Sequence, residues 1–188
     1  MNKILTSAFV SFTSMFIAGS ALAGGHDTCG DITIAEMDWA SAELIANIDK
    51  VILEEGYGCS VELIPGATMT TFASMDTKGM PDIAPELWAN AVQTPLAKAE
   101  EEGRLFMLNG APITGAGEGW MISTKVMEEN GLTTLEDVLA RPDLFPHPED
   151  SSKGGIVTCP SGWGCQIATN QLFKANDMEA KGWMLIDS

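Results

Sequence analysis

The sequence has few positively charged residues. Ten Lys and Arg side chains are outnumbered by 26 Asp and Glu side chains, which gives a net charge of −16 at pH 7. Nucleic acids and anionic membrane surfaces are bound through clustered Lys and Arg, so this balance excludes both as partners. The acidity is instead typical of a solvated, soluble surface.

Motifs for catalysis and metal binding are also missing. The chain has only two His residues, His26 and His147, in polar or Pro-containing segments, and it has no C-x-x-C, G-x-S-x-G or H-E-x-x-H pattern. Nucleophilic and zinc-dependent catalysis need such groupings. The sequence therefore predicts a protein that is not an enzyme and that has no metal site and no cofactor.

Long apolar runs are limited to the beginning of the chain. A short positive start at Lys3 precedes an apolar run over 4–19, and Ala21-Leu22-Ala23 is a small-x-small cleavage site. This pattern predicts a secretory signal peptide over 1–23. No later run approaches the ~20 apolar residues of a membrane span. No Cys follows the cleavage site directly, so we expect a free, extracytoplasmic product without a lipid anchor.

Strand and helix patterns alternate along the rest of the chain. Strand patterns are followed by helical spacing or by helix-capping residues, with Asp38 and Ser41 offering side-chain caps for the first helix. This alternation predicts an α/β fold with a mostly parallel sheet. Strands are predicted over 31–37, 60–64, 82–84, 104–108, 120–123, 156–159 and 182–186, and helices over 44–52, 68–75, 89–102, 125–130, 134–140 and 164–176.

The four cysteines fit an oxidising compartment and allow three pairings. Cys29 and Cys59 each precede one of the first two predicted strands. Parallel strands of a right-handed βαβ unit start close together, so a Cys29–Cys59 disulfide is plausible. Cys159 and Cys165 would then close a tight loop.

The placement of the five Trp residues indicates a binding site. Trp39 and Trp88 follow the carboxyl ends of predicted strands, where open α/β sheets bind ligands. Trp163 lies between glycines in the Cys159–Cys165 loop, just before a helix start with free backbone N–H groups. Trp39 also fits helix packing, and Trp120 fits either a core or a ligand position. Trp183, in an apolar strand pattern, is predicted to be core.

Several motifs resemble the glycine betaine/choline substrate-binding proteins of ABC importers. They are the segment 32–41, Pro85-Glu86-Leu87-Trp88, Gly119-Trp120-Met121-Ile122 and Cys159-Pro160-Ser161-Gly162-Trp163-Gly164-Cys165. The resemblance implies a two-lobed periplasmic-binding-protein fold of type II, a periplasmic monomer and a membrane permease as partner.

The resemblance also implies which residues hold a small zwitterionic or cationic ligand. Trp88 and Trp163 would hold the trimethylammonium group, the N–H groups of Gly164 and Cys165 would take a carboxylate, and Trp39 and Trp120 would add cage aromatics. Some relatives have a His four residues after the first cage Trp. Val92 stands there in this chain, so choline or carnitine stays open beside glycine betaine.

Family members are longer than this chain. The resemblance therefore implies a first lobe over 24–115 and an incomplete second lobe over 116–188. A chain cut inside the second lobe leaves an open sheet edge and an exposed apolar strand, so we expect this chain to be poorly soluble when expressed alone. A sensor or interaction domain on the same fold is the alternative function.

Overall fold

The computed structural model describes residues 29–108 and 115–188. The predicted signal peptide lies outside the described residues, and so do residues 109–114 of the Gly- and Pro-rich segment near the middle of the chain. Within the described residues, no helix is long and apolar enough to cross a membrane.

The first section of the chain forms a βαβ unit with a parallel pair of strands. Asp31 pairs with Ser60 at one end of the register, and Met37 pairs with Gly66 at the other. The two predicted strands and the helices that follow them are confirmed. The elements are β1 (Asp31–Met37), α1 (Ala40–Val51), a π-helical turn (Ile52–Gly56), β2 (Ser60–Gly66) and α2 (Thr68–Lys78).

Both faces of β1 are buried. Ile34 and Ala35 are consecutive and point to opposite faces, yet neither is accessible to solvent. Ile34 packs with Ala46 of α1 and Val61 of β2, whereas Ala35 packs with Met37 and Ala42. Burial on both faces is typical of a parallel sheet covered by helices.

The third predicted strand, 82–84, is reduced to a single bridge between Ile83 and Ile34. Pro81 and Pro85 lie on either side and lack the N–H groups that would extend a ladder. Thr33 fixes the segment instead, because its backbone N–H and hydroxyl donate to Asp82 Oδ2 at 2.7 and 2.6 Å. These hydrogen bonds lower the pKa of Asp82. The segment is thus held beside β1.

The strand predicted over 104–108 is wrong. A 3₁₀ turn (Ala89–Val92) leads into α3 (Gln93–Glu101). After α3 the chain turns back, and the Arg104 backbone N–H donates to Ala99 O at 2.9 Å. The Arg104 guanidinium pairs with Asp76 and Glu102. No described strand lies alongside to supply a ladder, and Phe106 is 80 % exposed.

The strand predicted over 120–123 is also wrong. Trp120 packs against the core of the second section, but Met121 is 93 % exposed and no described strand pairs with either residue. Trp120 is therefore the residue that anchors this segment, and the apolar Ile122 two residues later does not make it a strand.

The second section forms another parallel pair, in which Gly154 pairs with Trp183. Its three helices and two strands match the remaining predictions to within a few residues. The elements are α4 (Thr124–Asn130), α5 (Leu135–Leu139), a 3₁₀ turn (Pro142–Leu144), β3 (Gly154–Val157), α6 (Gly164–Ala175) and β4 (Trp183–Ile186).

A capping box is present at the start of α5. Thr134 Oγ1 accepts from the Asp137 N–H at 3.2 Å, and Asp137 Oδ2 accepts from the Thr134 and Thr133 N–H groups at 2.8 and 2.9 Å. Hydrogen bonds from Thr133 and Thr134 hold the pKa of Asp137 at about 2. Asp137 stands where the usual capping box has the longer Glu or Gln, and its carboxylate still reaches the backbone N–H of the N-cap residue Thr134.

The core of the second section confirms the prediction for Trp183. Its side chain is 3 % exposed, packs with Leu139 and Met178, and donates to Leu139 O at 3.1 Å.

His147 is buried too, with Nε2 3.2 Å from Leu185 O and Nδ1 accepting from the Glu149 N–H at 3.1 Å. His147 therefore links backbone segments.

Both disulfides are present. Cys29–Cys59 joins the starts of β1 and β2 with a Cα–Cα distance of 4.5 Å, as the βαβ topology predicted. Cys159–Cys165 closes the loop between β3 and α6 with a Cα–Cα distance of 5.8 Å.

The Cys29–Cys59 bridge is expected to stabilise the fold more than the short bridge does. Replacing both cysteines by Ser should lower the free energy of unfolding by on the order of 3 kcal/mol, because the bridge spans 30 residues. The matched Cys159→Ser/Cys165→Ser variant removes a disulfide that spans only 6 residues. Its loss of unfolding free energy should be about 1 kcal/mol smaller than that of the first variant. Urea unfolding measures both, and an unchanged midpoint for the first variant would contradict the expectation.

Candidate functional site

A cavity of about 1060 Å³ lies between the two sections of the chain. Its volume is at the upper end of the range of about 300–1,000 Å³ for small-molecule sites. All five Trp side chains border it, with Trp183 belonging to the core beneath. The predicted ligand residues Trp39, Trp88, Trp120, Trp163, Gly164 and Cys165 all lie on its wall.

Glu86 organises the wall contributed by the first section. Its Oε1 accepts from Trp39 Nε1 at 2.8 Å, from Trp88 Nε1 at 3.0 Å and from the Ser41 hydroxyl at 3.0 Å. Trp39 directly precedes α1, and Trp88 directly precedes the 3₁₀ turn. One carboxylate oxygen thus fixes the edges of two indoles that enter from different segments.

The prediction that Asp38 and Ser41 cap α1 is wrong. No side chain caps the helix, whose N-cap residue is Trp39. Ser41 donates to Glu86, and Asp38 Oδ1 accepts from Trp163 Nε1 at 2.7 Å. Both side chains support the indoles instead of the helix start.

Trp163 comes from the disulfide-closed loop of the second section. The backbone N–H of Trp163 donates to Pro160 O at 3.2 Å. Gly162 has a φ of +93°, in the left-handed region that favours glycine. The Trp163 ring meets Trp39 edge-to-face, with centroids 5.1 Å apart and planes at 66°. The indole therefore reaches across to the wall built by the first section.

The same loop approaches the first section closely at its backbone. Met69 N donates to Gly162 O at 3.2 Å. A Cβ on Gly164 would lie 2.7 Å from Ala91 Cβ and 3.6 Å from Thr68 Cγ2, so only glycine fits without a shift. Residue size at Gly164 therefore sets how near the two sections come.

The start of α6 offers hydrogen-bond donors to the cavity. Gln166 N donates to Trp163 O at 3.2 Å, whereas the N–H groups of Gly164 and Cys165 have no acceptor among the described residues. Unpaired N–H groups and the helix dipole favour an anionic group there. Trp120 lies near the same helix, with Nε1 donating to Thr169 Oγ1 at 3.3 Å.

The charged groups at the cavity are all acidic. Glu86 and Glu118 border it, and no described Lys, Arg or His does. Throughout residues 29–108 and 115–188, no cluster of three or more His, Cys, Asp or Glu side chains could hold a metal ion. Val92, at the position of the His found in some relatives, is fully buried in the core and does not border the cavity.

Residues 30–187 match the family model described as the substrate binding domain of the ABC-type glycine betaine transport system. The chain belongs to this family. The binding domain has a type II periplasmic-binding fold, and such domains act outside the cytoplasm, bind a small ligand, work with an ABC permease and are normally not enzymes. No curated protein gives a significant match to the chain.

Sequence reasoning missed Glu86 and Asp38 as site residues of this binding domain. Glu86 stood inside a quoted motif, two residues before Trp88, and Asp38 stood beside Trp39. A carboxylate one or two residues before a Trp, after an apolar segment that pairs with or ends a strand, is the signal that marks both positions. Their role depends on which indole N–H they face, and this needs the tertiary structure.

Gly164→Ala tests the close approach of the two sections. The added methyl group would overpack against Ala91 and should cost about 1–3 kcal/mol of unfolding free energy. Gly117→Ala is the matched control, because Gly117 also borders the cavity and a Cβ there meets nothing within 4 Å. Urea unfolding of both variants measures the effect, and equal midpoints would contradict this close packing.

Proposed function

We propose that this binding domain captures glycine betaine or a related quaternary ammonium compound for import by an ABC permease. One observation carries the proposal: indoles from both sections converge on a cavity that no described basic side chain borders. A quaternary ammonium has no N–H to donate, so stacked aromatic faces recognise it through cation–π attraction.

Trp88 and Trp163 are the proposed main contacts of the ammonium group. They come from different sections of the chain, and a carboxylate holds each indole N–H. Trp39 and Trp120 complete the cage as further members. Desolvated cation–π contacts contribute about 2 kcal/mol each, so two of them correspond to a Kd of about 1 mM and four of them to a Kd of about 1 μM.

A ligand carboxylate would bind at the start of α6. The N–H groups of Gly164 and Cys165 border the cavity and lack acceptors within the described residues, which supports this end of the site. The disulfide to Cys159 limits the freedom of the loop that carries them. Aromatic faces at one end and N–H donors at the other can accommodate a small zwitterion such as glycine betaine.

The proposed organisation follows from the family and from the cavity between the two sections. Residues 1–23 are the proposed signal peptide, 24–115 the first lobe and 116–188 the part of the second lobe that this sequence contains. The protein then works in the periplasm as a monomer. Two disulfides support an oxidising compartment.

Trp88→Ala and Trp163→Ala should each weaken ligand binding at least tenfold, because each removes one aromatic face from the cage. Isothermal titration calorimetry of the full-length protein with glycine betaine, choline, carnitine and proline betaine measures this loss. Absence of binding heat with all four compounds would contradict the proposed function.

Tyr57→Ala is the matched control for these substitutions. Tyr57 is an aromatic residue, is 61 % exposed and does not border the cavity, so its removal should leave affinity unchanged. Unchanged affinity in either Trp variant would remove that residue from the site.

A further inference from the structure

Three indoles at the cavity donate their N–H groups to carboxylates. Trp39 and Trp88 donate to the same oxygen of Glu86, at 2.8 and 3.0 Å, and Trp163 donates to Asp38 at 2.7 Å. The Ser41 hydroxyl is a third donor to Glu86 Oε1, at 3.0 Å, and a carboxylate oxygen only accepts hydrogen bonds.

The charge of Glu86 is not neutralised by the protein. Glu86 makes no ion pair within the described residues, and its second oxygen, Oε2, is buried without a hydrogen-bond partner there. No Lys, Arg or His in the described chain borders the cavity. A negative charge therefore lies at the N–H edges of two indoles, with no protein cation in the described residues to balance it.

We propose that Glu86 is a specificity-determining residue that makes the site prefer ligands with a net positive charge over zwitterions. The proposal rests on the proposed function, since it concerns the same quaternary ammonium site. The ligand class it selects is a small quaternary ammonium monocation, of which choline is the accessible example.

Charge explains the preference. A cation held against Trp39 and Trp88 lies one indole away from the Glu86 carboxylate, in a partly buried site where Coulomb attraction is weakly screened. Donation of the indole N–H to a carboxylate also polarises the ring toward the cation. For a zwitterion, repulsion of its own carboxylate by Glu86 offsets part of this gain.

Glu86→Gln is the direct test. Gln keeps an acceptor oxygen and nearly the same shape while it removes the charge, so the indoles keep a hydrogen-bond partner. By calorimetry on the full-length protein, affinity for choline and tetramethylammonium should fall at least tenfold, and affinity for glycine betaine should fall less than threefold.

Glu118→Gln is the matched control, because Glu118 borders the same cavity, is exposed and makes no hydrogen bond to an indole among the described residues. It should change choline affinity less than threefold. An equal loss in both variants would overturn the assignment, since overall charge and not Glu86 would then set the preference.

The unmodified protein gives a second measurement that needs no variant. It should bind choline more tightly than glycine betaine, and added NaCl should weaken the binding of choline more than the binding of glycine betaine. Equal affinities with equal salt dependence would overturn the Glu86 proposal and leave the proposed function intact. Failure to bind any quaternary ammonium compound would instead overturn the proposed function.

Discussion

The hydrogen bond from Trp163 to Asp38 joins parts of the chain that are 125 residues apart, and the cavity depends on it. Trp163 is carried by a disulfide-closed loop of the second section, whereas Asp38 directly follows the first strand. The bond brings the Trp163 ring edge-to-face against Trp39, 5.1 Å between centroids, and the neighbouring Gly164 backbone packs against Ala91. The position of the Trp163 indole and the packing of the two sections against each other therefore depend on the same contacts.

Local pattern was sufficient to predict most of the framework. The alternation in 31–37 and the helical spacing after it specified β1 and α1, and this topology was enough to predict the Cys29–Cys59 bridge. Thr134 and Asp137 specified the start of α5 through a motif that closes within four residues. These elements were predictable because their determining contacts lie within one βαβ unit or one helical turn.

Other elements depended on partners that local pattern does not reveal. The apolar run after Arg104 reads as a strand, yet a strand exists only where a second one supplies hydrogen bonds, and Arg104 turns back toward Asp76 and Glu102. Ser41 has the chemistry of a helix cap, but a carboxylate 45 residues away binds its hydroxyl. The same limit hid Glu86, whose contacts reach back to Trp39 across 47 residues.

A buried carboxylate oxygen without a partner is a cost to the folded state, because desolvation of a charged group is unfavourable. Glu86 Oε2 has this position within the described chain, and hydrophobic packing alone would favour an apolar side chain there. The indole N–H groups recover part of the cost through Oε1. If the site binds a cation as proposed, the cation would recover the remainder, so the charge that destabilises the empty site would stabilise the occupied one. In this interpretation Glu86 belongs to ligand selection, and the two indoles couple it to the ligand.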